Sequence, residues 1–275
     1  SDECKAKRAI RDNMPEKAKD PDYMSGCVDE QTMEVLRRAI GNPMIRVSSK
    51  TRDHLTTPNT GWARVTEENV RTLPALPGCI AVYLQEEIQV PVGIIVRAVS
   101  GTAACRWISE SAYMNDPLVK KQIEVFESQG GKPGLVGVGN RFGDLYADYV
   151  SPVVPYAIRG FLWDQGEWRT GVRISNELVG RTGQCSISDW TPMMHALVTS
   201  WREAWGQGDL PWSATDHYPD ELEEELRKAG LAHFAIAKTD GLSRALHPLN
   251  KWKYAQRHLD NILPMAYGRE SPYHP

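Results

Sequence analysis

Apolar and polar positions along the chain follow two periods. Met33, Val35, Leu36 and Ile40 recur at near-helical spacing ahead of Gly41, which predicts a helix over 31–40. Ile80, Tyr83, Leu84 and Ile88 share one face of a second helix over 78–89. Leu118, Ile123 and Phe126 do the same over 116–129. The strongest stripe is Met194, Leu197, Val198, Trp201 and Trp205, a helix over 190–205 with Pro192 near its start. A charged amphipathic helix over 220–229 ends at Gly230, and Trp252, Leu259 and Ile262 mark a closing helix over 250–263. Short apolar runs lie between these helices, at 43–47, 91–99, 158–163 and 232–237, with another opening after Asp209. Their length and flanking turn residues read as buried strands. Strands alternating with helices predict a parallel sheet covered on both faces, a three-layer α/β/α domain.

The pattern also predicts what is not regular. Residues 1–24 mix Lys, Arg, Asp and Glu around prolines and read as a loosely docked N-terminal segment. Residues 25–275 then form a single domain. The polar stretch 50–72 and the glycine-rich stretch 130–143 read as loops, the latter without the Gly-Lys-Ser/Thr of a phosphate-binding loop.

Around Tyr156 to Glu167 the pattern points to chemistry. An apolar strand there runs directly into Asp164-Gln165-Gly166-Glu167. In open α/β sheets ligands bind just past the carboxyl ends of strands, and acid, amide and glycine side by side suit such an edge.

Composition narrows the classes. Hydrophobic residues make up 41% and charged residues 24%, an ordinary globular balance. A net charge of −3 without a basic run argues against a nucleic-acid partner. No apolar stretch reaches the length of a membrane span, and no signal-peptide pattern is recognised. The five cysteines, Cys4, Cys27, Cys79, Cys105 and Cys185, form no CxxC pair, so no metal or other cofactor is expected. Cys79 and Cys105 sit in apolar surroundings and read as core residues. A Cys4–Cys27 disulfide is open if the protein is exported. Nine tryptophans are many for 275 residues. Trp201 and Trp205 read as core, while others cluster near the strand end.

Four blocks, in order, carry a family resemblance. They are Val90-Pro91-Val92-Gly93-Ile94-Ile95 with Ser100-Gly101-Thr102 and Trp107; Arg159-Gly160-Phe161-Leu162-Trp163-Asp164-Gln165-Gly166-Glu167; Trp201-Arg202 with Trp205-Gly206-Gln207-Gly208-Asp209-Leu210-Pro211; and Leu246-His247-Pro248 with Asn250-Lys251. Together, from about Ile45 to about Leu259, the chain resembles the sialate O-acetylesterase and acetylxylan-esterase-like branch of the SGNH hydrolases. The resemblance implies a flavodoxin-like fold and hydrolysis of O-acetyl esters on sugars, with an acetylated carbohydrate as partner. It favours an extracellular or periplasmic location. It makes His247 the base, Glu167 the group that polarises it, Gly101 the backbone oxyanion donor, and Thr102 and Gln165 residues that shape the loop and position substrate.

Two family features are not in register. The serine block Gly-Gln-Ser-Asn-Met falls on Asp20-Pro21-Asp22-Tyr23-Met24-Ser25-Gly26-Cys27-Val28-Asp29, which puts Asp22 or Val28 where the serine belongs. Ser25 and Cys27 are the nearby nucleophiles. The aspartate expected just before the histidine is replaced at Arg244 and Ala245, leaving Asp240 farther off, and Trp168-Arg169 stands for Ser-Asn. Three readings stay open. The enzyme attacks with Ser25 or Cys27; or the chain is a non-catalytic glycan-binding or assembly relative; or the nucleophile segment is altered or incomplete in this sequence.

Overall fold

The computed structural model of the chain describes residues 5–7, 9, 27–51, 61–128, 134–137, 142–165, 172–175, 186–187, 189–240, 242 and 248–273. They form a mixed α/β structure with parallel strand pairs, divided into two compact units. Unit 1 comprises Ser1–Val99, Ala237–Pro264 and Arg269–Pro275; unit 2 comprises Ser100–Ile236 and Met265–Gly268.

Unit 1 opens with α1, Glu30–Arg37. The Asp29 carboxylate accepts from Thr32 N at 2.7 Å, and Glu30 and Arg37 occupy the helix ends that favour their charges. Helix α2, Ala75–Ile88, packs beside α1 and against the strands β1, Ile45–Thr51, and β2, Val92–Ala98. Gly78 permits that approach: a Cβ there would come within 2.5 Å of Leu36 and 2.8 Å of Leu73. β1 and β2 pair in parallel from Ile45 opposite Val92 to Thr51 opposite Ala98. β1 is longer than the apolar pattern predicts. Ser48, Ser49 and Lys50 are not apolar, yet pairing with β2 extends them as strand. Ala63 bridges Val47 on the other edge, inside the stretch read as loop.

Helix α7, Lys251–Tyr267, runs past the expected end at Leu263 and through Pro264. Gly268 follows it at φ +62°, and Arg269 N closes the end by donating to Leu263 O at 3.2 Å.

In unit 2 a 3₁₀ turn, Ala104–Trp107, leads to α3, Glu110–Asn115, and α4, Pro117–Ser128. α3 was not expected; Ser109 Oγ caps it through Ala112 N at 3.1 Å. Strand β3, Gly134–Gly137, lies in the stretch read as a glycine-rich loop, which corrects that expectation. It pairs antiparallel with β5, Val172–Ser175, which pairs antiparallel with β6, Ser186–Ile187. Such short strands exist through their partners and leave little periodicity in their own residues. A π turn, Tyr146–Val150, and a 3₁₀ turn, Ser151–Val153, precede β4.

A further sheet runs β4, Phe161–Trp163, then β7, Trp212–Thr215, then β8, Phe234–Ala237; β4 and β7 pair in parallel, with Phe161 opposite Trp212 and Trp163 opposite Ala214. The expected strands at 158–163 and 232–237 thus flank a common neighbour, while β2 pairs with β1 in a sheet of its own. Helix α5, Trp190–Trp205, has the expected bounds and stops at Gly206, φ +64°. Helix α6, Leu222–Lys228, precedes Gly230, φ +90°.

The core of unit 2 is aromatic. Phe161 lies 4.7 Å from Trp212 and 4.9 Å from Trp205, and Trp201 lies 5.5 Å from Trp212 and 5.7 Å from Trp163, ring centroid to centroid. All five are buried, Trp212 completely. Cys79 in unit 1 and Cys105 in unit 2 are buried thiols, as the apolar pattern expected.

Candidate functional site

The β4–β7–β8 sheet is pinned at both ends. At its amino end the buried Arg202 of α5 donates from Nε to Leu210 O at 2.9 Å and from Nη2 to Ala232 O at 2.9 Å and His233 O at 3.2 Å. These carbonyls precede β7 and β8, so one guanidinium sets two strand starts. Burial pulls its pKa down, and the exposed Asp209 at 4.0 Å opposes that.

At the carboxyl end three of the expected site residues, Gly101, Thr102 and Gln165, are described. Gly101 is exposed with φ +65°, a conformation that a side chain would strain. Thr102, next to it, is buried. Its Oγ1 accepts from Trp107 Nε1 at 3.1 Å, and its carbonyl accepts from Gln165 Nε2 at 3.1 Å. Gln165 stands two residues past β4 and is buried, and its own carbonyl accepts from the Tyr218 hydroxyl. Tyr218 follows β7 and meets the first residue of α5, Trp190, edge-on at 4.9 Å. Thr102 and Gln165 are therefore tied by a hydrogen bond, with Gly101 next in the chain to Thr102 and Trp107 bonded to the threonine hydroxyl.

The other expected residues, His247, Glu167 and Ser25, lie outside the described residues. Residues near Ser25 and His247 in the sequence, both in unit 1, are described. Asp29 N donates to Leu249 O at 3.1 Å, and Thr32 Oγ1 donates to the same carbonyl at 3.2 Å. The segment entering α1 thus runs beside the segment entering α7. Ser25 is four residues before Asp29, and His247 two before Leu249. Cys27 is buried and disulfide-bonded. A disulfide sulfur is no thiolate, so Cys27 is withdrawn as an attacking group.

Three residues of this region carried no sequence expectation as site groups. Tyr218 closes a strand-to-polar-turn pattern, Trp212 to Tyr218, of the same form as the one read at β4. Asp116 and His195 form a buried pair, Oδ2 to Nδ1 at 2.6 Å. The other Asp116 oxygen caps α4, accepting from Leu118 N at 2.9 Å and Val119 N at 3.3 Å. A carboxylate that orients an imidazole is half of a base–acid constellation, yet this one is spent joining α4 to α5. Among the described residues no group of three or more His, Cys, Asp and Glu is placed to hold a metal ion.

No protein-family model matches the sequence, and no curated protein is similar to it at a significant level. A solved structure described as a novel carbohydrate acetylesterase from Xanthomonas citri is similar in fold, with a TM-score of 0.59 and 19% identity. The match covers 90% of this chain and 54% of that one, so this chain spans about half the length of the structure it resembles. A protein from Arabidopsis thaliana superposes with a TM-score of 0.36 and 15% identity over 80% of this chain and 82% of that one, too low to compare folds. The first likeness shows a shared α/β fold.

Proposed function

We propose that the chain is a carbohydrate O-acetyl esterase on a three-layer, flavodoxin-like SGNH hydrolase scaffold. The observation that carries the reading is the Thr102–Gln165 hydrogen bond beside Gly101, in a fold shared with a carbohydrate acetylesterase. A glycine at φ +65° lets substrate approach the backbone closely, and its N–H is the oxyanion donor. Ser25 Oγ attacks the acetyl carbon while His247 takes its proton, and Glu167 favours the imidazolium. The sugar hydroxyl leaves with that proton, and water then releases acetate from the serine. Support for pairing Ser25 with His247 comes from the Asp29–Leu249 hydrogen bond, which sets their flanking segments side by side. The disulfide at Cys27 supports an oxidising compartment.

A second reading is a glycan-binding or assembly protein without turnover. It is favoured by the out-of-register serine block and by the loss of Cys27 as a nucleophile.

Turnover of an aryl acetate by wild type, His247→Ala, Glu167→Gln and Ser25→Ala separates the two. Under the esterase reading His247→Ala and Ser25→Ala lose at least about a thousandfold, and Glu167→Gln loses less. Wild-type turnover no faster than that of His247→Ala discards the enzyme.

A further inference from the structure

The two faces of the β1–β2 pair differ in kind. Ile45, Val47, Val92 and Val96 point to one side and are buried. The other side carries Arg46 opposite Gly93, Ser48 opposite Ile95, and Lys50 opposite Arg97. On that polar side the Trp62 ring lies over Gly93: a Cβ at Gly93 would come within 2.9 Å of Trp62 Cη2 and 3.0 Å of Cζ3. The indole is 40% exposed.

Two guanidiniums of this face hold no carboxylate among the described residues. Arg97 folds back across the pair, donating to Ser48 O at 3.0 Å, Ser48 Oγ at 3.2 Å and Val96 O at 2.7 Å. Arg46 donates to Pro43 O at 2.9 Å and Ile45 O at 2.8 Å. By contrast Arg37, Arg38, Arg106 and Arg227 each hold a carboxylate at 2.5–3.1 Å. Arg97 is half-buried, and that burial lowers its pKa with no acidic group to offset it. A desolvated cation bonded only to neutral oxygens retains most of its attraction for an anion. Arg97 reaches the level of Ser48, two residues along β1 from Arg46 and Gly93, or about 7 Å from the indole row.

We propose that this face binds an acidic saccharide, a uronate whose ring lies on Trp62 and whose carboxylate pairs with Arg97, with Arg46 adding charge. Carbohydrate suits the indole because a sugar ring presents C–H groups on one face and hydroxyls at its edge. The carboxylate suits Arg97 because the planar fork accepts it in a bidentate geometry. Gly93 is the device that makes room for the indole. The site belongs to unit 1 alone and does not rest on the esterase reading.

Calorimetric titration of the full chain with glucuronate, glucose and acetate tests it without requiring turnover. Wild type takes glucuronate about tenfold or more tighter than either of the others, since each partial ligand lacks one anchor. Arg97→Gln and Trp62→Ala each remove about tenfold for glucuronate, and Arg97→Lys lies between wild type and Arg97→Gln. Gly93→Val, which displaces the indole, behaves as Trp62→Ala. Equal affinity for acetate and glucuronate overturns the proposal, as does no detectable glucuronate binding by wild type with a native circular dichroism spectrum. Unchanged glucuronate binding in folded Arg97→Gln also overturns it.

Discussion

The β1–β2 and β4–β7 pairs are both short and parallel, and β7 uses its faces differently from β1 and β2. β7 is buried at every position from Trp212 to Thr215. Five large rings close around it and its neighbour β4, so the strand ends have little freedom. Such a strand suits the job of holding Thr102 O and Gln165 Nε2 at hydrogen-bond distance. β1 and β2 instead bury one side and leave the other with arginines, a lysine and a half-exposed indole. A strand buried on both faces, as β7 is, yields geometry; a strand pair with one cationic face yields affinity for something outside it.

The largest break in this comparison comes from Trp212→Ala. Trp212 is wholly buried against Phe161, Trp163 and Trp201, and its removal costs about 3–5 kcal/mol in urea unfolding. Trp62→Ala costs less, because its ring is already 40% in water. Equal costs for the two would abolish the distinction between a closed and an open face.

Thr102→Val sharpens the comparison at the turn itself. The shape is kept, but the Trp107 indole N–H loses its acceptor in a buried setting. The expected loss is about 1–3 kcal/mol. If the turn positions Gly101, ester turnover falls further than that stability loss explains.

The smallest effect reads the covered side of β1–β2. Burial pushes the Cys79 thiol in α2 from 9.0 up to about 12. The folded state therefore keeps a proton that the unfolded state releases, and stability declines as pH rises from 9 towards 12. By pH 10 the decline is about 1 kcal/mol. Cys79→Ala should flatten that slope in urea titrations at pH 8 and pH 10, and an unaltered slope would place water beside α2.

Much of this was legible in one dimension because burial imposes a period. Helix α5 matches its predicted bounds since its stripe from Met194 to Trp205 is almost all core. Ser48 to Thr51 and β3 were not legible, since their extended backbone is stabilised by a partner strand distant in sequence. Of the site, Gly101, Thr102 and Gln165 were named from resemblance, and their hydrogen-bonded link is a fact of three dimensions. Tyr218 and the Asp116–His195 pair were missed because their partners lie 53 and 79 residues away, and no local pattern encodes such a meeting.

By itself, then, the order of residues determined the α/β class, the main helices, the buried thiols and the strand that ends just before Gln165. Each follows from local chemistry: periodic burial, helix-stopping glycine, and a polar cluster after an apolar run. Tertiary structure alone decided which strands pair, that Cys27 is spent in a disulfide, and that Asp29 runs beside Leu249. It also decided that Arg46 and Arg97 share a face with Trp62. These depend on register and on long-range contacts, whose free energy comes from surfaces that no single segment carries.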